Sequence, residues 1–325
     1  MLEPDIAAAL AQRGQRIVLT GAGGWIGLAT LDMLEAALGR EAFVSRVVAF
    51  GGTRRALALA SGHSIEQRPL SEIAALDAQP TLVLHTAFLT KDRAEAMSES
   101  DYRAANEAIS VLVLGALDRI GTEAVFLASS GAAARANDPS ANAAMRLYGA
   151  MKREDEEQFA RWAEARGRTA VICRIYAVAG PRINKLGAYA LGSFITSALA
   201  GETITVRAPR EVVRAYVALR ELMSLVFALL LKPGSVTRFD SGGKPLELEA
   251  VARLVAAAVP GTAVARAQIT ASDPDIYYGD GASYALLLEH HGVTPVPLAQ
   301  AIAETIEWLQ ADLRGSPAQP ALQPN

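Results

Sequence analysis

Cysteine is nearly absent. Cys173 stands alone, which excludes an internal disulfide framework and any cluster of thiolate metal ligands. Aromatic residues make up only 6%, so a core must be built mostly from aliphatic side chains. Charge of one sign does not accumulate either. The 31 Lys and Arg against 34 Asp and Glu leave a net −3, which excludes a broad basic surface for nucleic acid or an anionic membrane. Long apolar runs are missing. The most apolar stretch, Leu222–Leu231, is too short to cross a bilayer. The first residues lack the basic stretch and apolar run of a secretory signal. The expectation is a soluble cytoplasmic globule with neither membrane nor nucleic-acid partner. Lysine is scarce, five against 26 arginines, so each lysine position is informative. No repeat of solenoid length is present.

What is there supports a large core: 325 residues, 51% of them apolar, enough for one large domain or a main domain with a smaller partner. Strand-like runs fall at Arg16–Thr20, Val44–Phe50, Ser64–Arg68, Thr81–His85, Ala124–Ala128 and Ala170–Ile175. Segments with helical spacing lie between them, such as Ile26–Leu38 and Asp101–Ile120. This alternation predicts an α/β fold with a doubly wound parallel sheet. The rhythm changes after Gly180-Pro181. Residues 1–180 plus about 211–255 read as a dinucleotide-binding domain. Residues about 181–210 plus 256–313 read as a smaller mixed α/β substrate domain. The proline-bearing stretch 314–325 reads as a disordered tail, and Pro4–Arg13 as a solvent-exposed helical lead-in.

After the first strand comes Gly21-Ala22-Gly23-Gly24-Trp25-Ile26-Gly27. Glycines three apart let the backbone turn sharply and approach a pyrophosphate, with the helix that follows offering free N–H groups. Chance alone gives this pattern roughly 0.2 times in a chain with this glycine content. Its placement between strand and helix carries the argument. Gly21, Gly24, Trp25, Ile26 and Gly27 are therefore cofactor-binding candidates. The end of the second strand, where NAD enzymes place an acid for the ribose, has none between Glu41 and Glu66. Arg54 and Arg55 stand there instead. An arginine fork suits a 2′-phosphate, so NADP(H) is expected over NAD(H). The bland alternative is a solvated helix start.

Tyr148 and Lys152 lie four apart, on one face of a helix. An ammonium beside a phenol stabilises phenolate, so the pair can protonate a ketone oxygen or deprotonate an alcohol. Ser130 ends the fifth strand and could donate to the same oxygen; the bland alternative is a serine cap. His290 and His291 are adjacent and make a poor ligand pair, so no metal is expected.

Together these residues resemble the extended short-chain dehydrogenase/reductase family, also called the NAD-dependent epimerase/dehydratase family. The resemblance runs from about Arg16 to Trp308, through Gly21-x-x-Gly24-x-x-Gly27, His85-Thr86-Ala87, Asn106, Ser129-Ser130, Tyr148-x-x-x-Lys152 and Arg174 with Gly180-Pro181. It implies a Rossmann fold with Tyr148 as catalytic acid and base, Ser130 orienting the substrate, and Lys152 holding the nicotinamide ribose. It places Asn106 in a proton relay, Thr86 and Ala87 beside the cofactor, Arg214 on a substrate diphosphate, and His85 in a structural role. It also implies a homodimer paired through the helices of Asn106 and Tyr148; Phe159 and Trp162 on the latter helix could face a partner or simply the core, and isolated aromatics more commonly face the core.

This chain departs from the pattern. Ala177 replaces an asparagine that touches substrate phosphates in sugar-nucleotide epimerases, and Gly131 and Ala132 replace the acidic pair of dehydratases. The leading expectation is NADPH-dependent reduction of a keto group on a nucleotide-linked sugar or related small carbonyl compound. The alternative is a sugar-nucleotide epimerase with tightly held cofactor. A third reading is a non-catalytic NADP-binding sensor.

Overall fold

Two strands with no exposed residue, β1 (Arg16–Thr20) and its neighbour Thr81–His85, can exist only with helices on both faces. The computed structural model describes residues 1–315 and has that architecture. Helix α1 (Pro4–Gln12) precedes β1. Then follow α2 (Trp25–Leu38), α3 (Arg40–Arg46), β2 (Val47–Gly51), β3 (Arg55–Ala58), β4 (Ser64–Pro69), β5 (Thr81–His85), α4 (Lys91–Ala96), α5 (Glu99–Leu117), β6 (Thr122–Ser130), α6 (Ala143–Arg166), β7 (Thr169–Ile175) and β8 (Ala177–Ala179). The second part comprises α7 (Ala190–Leu199), β9 (Ile204–Val206), β10 (Val212–Ala218), α8 (Leu219–Leu230), β11 (Val236–Asp240), β12 (Pro245–Glu247), α9 (Leu248–Ala258), β13 (Val264–Arg266), β14 (Asp275–Tyr277), α10 (Gly281–His290) and α11 (Leu298–Gly315).

The main sheet has the order β11-β7-β6-β5-β1-β2-β4-β3. Its pairs are parallel except β3 with β4. Successive residues of each inner strand serve opposite cores. Ile17, Leu19, Leu82 and Leu84 pack under α2 and α8, whereas Val18, Val83, Val125 and Leu127 pack under α5 and α6. Strand β1 lies between β2 and β5, so the strand order reverses there and a crevice opens at their carboxyl ends. A second sheet joins β12, β10 and β14, with β8 on β10, and β9 pairs with β13. A third core of Leu191, Ile195, Val206, Val251, Val255 and Ile302 underlies them. Among the described residues no helix is long and apolar enough to cross a membrane.

Several expectations need correction. Residues 44–46 close helix α3, and the strand starts at Val47. The lead-in is not solvent-exposed: Leu2, Ile6 and Leu10 are buried in the main core. Arg55 opens a strand, not a helix; β3 is short and mostly exposed, so it has no alternation to read. Within 211–255, α8 and β11 serve the main sheet, but β10 and α9 pair and pack with the second unit. Arg314 and Gly315 end α11; the rest of the expected tail lies outside the described residues. Phe159 and Trp162 are buried in the core beneath α6.

Candidate active site

At the switch point the loop after β1 meets the loop after β5. Gly21 has φ +72°, and a Cβ there would stand 2.6 Å from the Ala87 nitrogen, so only glycine lets the two loops touch. Thr86 binds this junction: its N–H and its hydroxyl both donate to the Thr20 carbonyl, at 3.1 and 2.7 Å. Gly24 is the residue that caps α2, and a Cβ on Gly27 would collide with the Gly21 carbonyl. Ile26 is half-buried on the first turn. The Trp25 indole donates to the Pro181 carbonyl at 2.7 Å, and Arg182 forks Asp32 of α2 at 2.7 and 2.9 Å. The glycine turn is thereby fastened to the Gly180-Pro181 segment.

Arg54 and Arg55 part company. Arg54 pairs with Glu66 at 2.6 Å and Glu72 at 2.5 Å, on the exposed side of β4. The Arg55 guanidinium lies directly against Gly23 in the glycine loop, beside the Gln67 amide.

Helix α6 brings Tyr148 and Lys152 to the same crevice. Asn142 caps it, accepting from Met145 N–H at 2.8 Å. Gly149 lets it press on the turn after β6, since a Cβ there would overlap the Ala132 carbonyl. Lys152 is buried; its ammonium donates to the Ala128 carbonyl at 2.8 Å and sits 3.8 Å over the Phe88 ring. Burial lowers its pKa to about 8, against Asp155 and Glu156, which raise it. Those two acids are fixed in turn. Asp155 accepts from Ser110 at 2.7 Å, and Glu156 accepts from Ser129 at 2.5 Å and from the Arg174 fork at 2.7 to 3.2 Å. Burial also pushes the Tyr148 phenol well above its ordinary range, with Ser130 opposing and the neighbouring tyrosines adding. The direction is upward, opposite to the lowering expected from Lys152.

Ser130 stands beside Tyr148. Its oxygen accepts from Ala132 N–H at 3.2 Å, so it is both a cap and a site hydroxyl. Tyr277 of β14 reaches in from the second sheet, its hydroxyl 3.5 Å from Ser130 Oγ. The Tyr277 ring lies 4.9 Å from Tyr176, with Arg135 and Arg214 at 5.4 and 5.8 Å. Arg214 itself donates to the Asp275 carboxylate at 2.6 Å.

Asn106 is buried but is not brought to the pair. It accepts from Leu89 N–H at 2.8 Å and donates to the Tyr102 carbonyl at 3.2 Å. His85 shares a 2.7 Å hydrogen bond with Thr20 and stacks on Phe159; burial lowers its pKa to about 3, which keeps it neutral. Among the described residues no group of three His, Cys, Asp or Glu side chains gathers for a metal ion. Sequence reasoning missed Tyr277 and Phe88. The first lies on a three-residue strand and the second in a loop, so neither belongs to a periodic pattern.

Residues 17–240 match the NAD dependent epimerase/dehydratase family. No curated protein sequence matches the chain. Among solved structures, it resembles a UDP-N-acetylglucosamine 4-epimerase from Methanobrevibacter ruminantium in complex with UDP-N-acetylmuramic acid (17% identity, 92% of this chain and 99% of that one, TM-score 0.71). It also resembles a UDP-glucose 4-epimerase from Thermotoga maritima with UDP-glucose (18%, 92% and 100%, 0.70). A dTDP-glucose 4,6-dehydratase from Streptomyces venezuelae with NAD bound is similar too (17%, 92% and 98%, 0.66). At these identities the likeness is one of fold.

Proposed function

The chain belongs to the NAD dependent epimerase/dehydratase family of enzymes, and from that premise we propose that it acts on a secondary carbinol of a nucleotide-linked sugar, as an epimerase. The observation that carries this reading is the meeting of Tyr148, Ser130 and Lys152 at the switch-point crevice. The residues there fit a dinucleotide: Gly21 and Gly27 let the glycine turn close on Ala87 and on its own carbonyls, where a Cβ would collide, and the start of α2 has no side-chain cap, which leaves its first amides free for phosphate. When bound, the dinucleotide supplies the hydride acceptor and donor.

The chain's own residues handle the proton and the orientation. Tyr148 takes the proton from the substrate hydroxyl and returns it to the carbonyl oxygen. Ser130 donates a hydrogen bond to that oxygen and fixes its direction. Lys152 keeps a positive charge within the site that favours phenolate. The resemblance assigns it the nicotinamide ribose as well. Asn106 acts at one remove, by holding Leu89. The main sheet carries the cofactor, and the second sheet leans Tyr277 and Arg214 over the substrate. Dehydration is disfavoured because Gly131 and Ala132 offer no acidic side chain to protonate a leaving water, and a Cβ on Gly131 would collide with the Tyr176 ring.

A second reading, NADPH-dependent reduction of a keto group, is favoured by Arg55 against the glycine loop and by the acid-free end of β2. Arg55 suits a 2′-phosphate, so the cofactor proposed is NADP(H). Purified protein incubated with UDP- and dTDP-sugars, with and without added dinucleotide, tests the two. An epimerase forms the epimer without net consumption of nucleotide; a reductase oxidises NADPH mole for mole. We further propose that a second copy covers Val111 and Leu112, the exposed apolar residues of α5.

A further inference from the structure

We propose that Phe88 is a positioning residue of the active site: its ring face holds the Lys152 ammonium in its charged form, and its contact with Tyr148 fixes the phenol. This rests on the acid–base reading above. The geometry is specific. The ammonium stands 3.8 Å over the ring centroid, and the Tyr148 ring meets Phe88 in a T-shaped contact at 5.7 Å. Phe88 is also held in place. The next residue is latched at both ends of its backbone: Leu89 N–H donates to Asn106 at 2.8 Å, and the Leu89 carbonyl accepts from Tyr102 at 2.5 Å.

An ammonium buried beside neutral groups tends to lose its proton. The groups facing Lys152 are few. Helix α6 contributes Tyr148, Asp155 and Glu156; β5 contributes neutral His85; β6 contributes the Ala128 carbonyl. Glu156 is already neutralised by Arg174, and Asp155 is itself pushed towards its protonated form by burial. The aromatic face adds an attraction that a buried aliphatic side chain cannot supply.

The test reads the lysine directly rather than turnover. The chain has five lysines, so 13C-lysine labelling gives a few NMR signals, and the Lys152 signal is the one lost in Lys152→Met. In Phe88→Leu its titration midpoint should drop by roughly half to one and a half pH units. Phe88→Tyr should hold it at the wild-type value. Pentafluorophenylalanine incorporated at 88, which keeps the shape but reverses the charge of the face, should drop it like leucine. A midpoint that stays put or rises in Phe88→Leu and in the fluorinated protein overturns the proposal. The function reading fails separately, if Tyr148→Phe turns over at the wild-type rate.

Discussion

The Tyr277 hydroxyl stands 3.5 Å from Ser130 Oγ, although 147 residues separate the two in the chain. The second sheet thereby closes over the hydroxyl that is proposed to orient the substrate. Tyr277→Ala should raise KM for the sugar nucleotide roughly tenfold, because ring packing against Tyr176 and two guanidiniums is lost. Tyr277→Phe keeps that packing and should change KM by less. Steady-state kinetics on both variants check this, and equal effects would mean that the hydroxyl matters more than the ring.

Arg55 offers a cofactor test. In Arg55→Ala the affinity for NADP should fall about tenfold to a hundredfold, with NAD nearly unaffected, since a charge-assisted bond of about 1.5–3 kcal/mol is removed. Thermal shifts at equal concentrations of the two dinucleotides read this directly. Equal losses for both would place Arg55 outside the phosphate site.

Lys152, in its proposed role, should affect catalysis and stability with opposite signs. Its pKa is lowered from 10.5 to about 8 by burial. The folded chain therefore binds fewer protons than the unfolded chain between those values, and stability from this group rises with pH through that window. At neutral pH the buried charge opposes folding by about 3 kcal/mol. Lys152→Met should thus raise the melting temperature at pH 7 while turnover collapses. The wild-type rate should decline as pH passes about 8 and the ammonium is lost. A melting temperature that falls in the variant would show that the Ala128 hydrogen bond and the nearby acids outweigh burial.

The exposed pair on α5 gives a test of assembly. Val111 is 66% and Leu112 39% exposed, and a charge at the centre of an apolar contact is costly. Val111→Glu should convert a dimer to monomer in sedimentation velocity. A wild-type protein that sediments as a monomer removes this face as an interface.

The parallel sheet, the glycine turn and the Tyr148–Lys152 helix were legible because each rests on a short-range pattern: buried aliphatic runs, glycine spacing, and a four-residue step. What was not legible depends on distant pairing. Tyr277 reaches the site only because β14 pairs with β10. Phe88 matters only because Asn106 and Tyr102 hold Leu89. Arg54 and Arg55 looked alike in sequence, yet Arg54, just before β3, turns towards Glu66 and Glu72, while Arg55, the first residue of β3, turns to the glycine loop. The phenol's raised pKa likewise follows from burial, which adjacency to a lysine does not reveal.

The most direct measurement is the turnover of Tyr148→Phe on a nucleotide sugar at saturating dinucleotide, with binding of both checked by calorimetry. Binding should be unaltered and the rate lower by a factor of about 100 or more, the usual worth of a positioned proton carrier. A variant that binds both ligands and turns over as fast as the parent would contradict the role proposed for Tyr148.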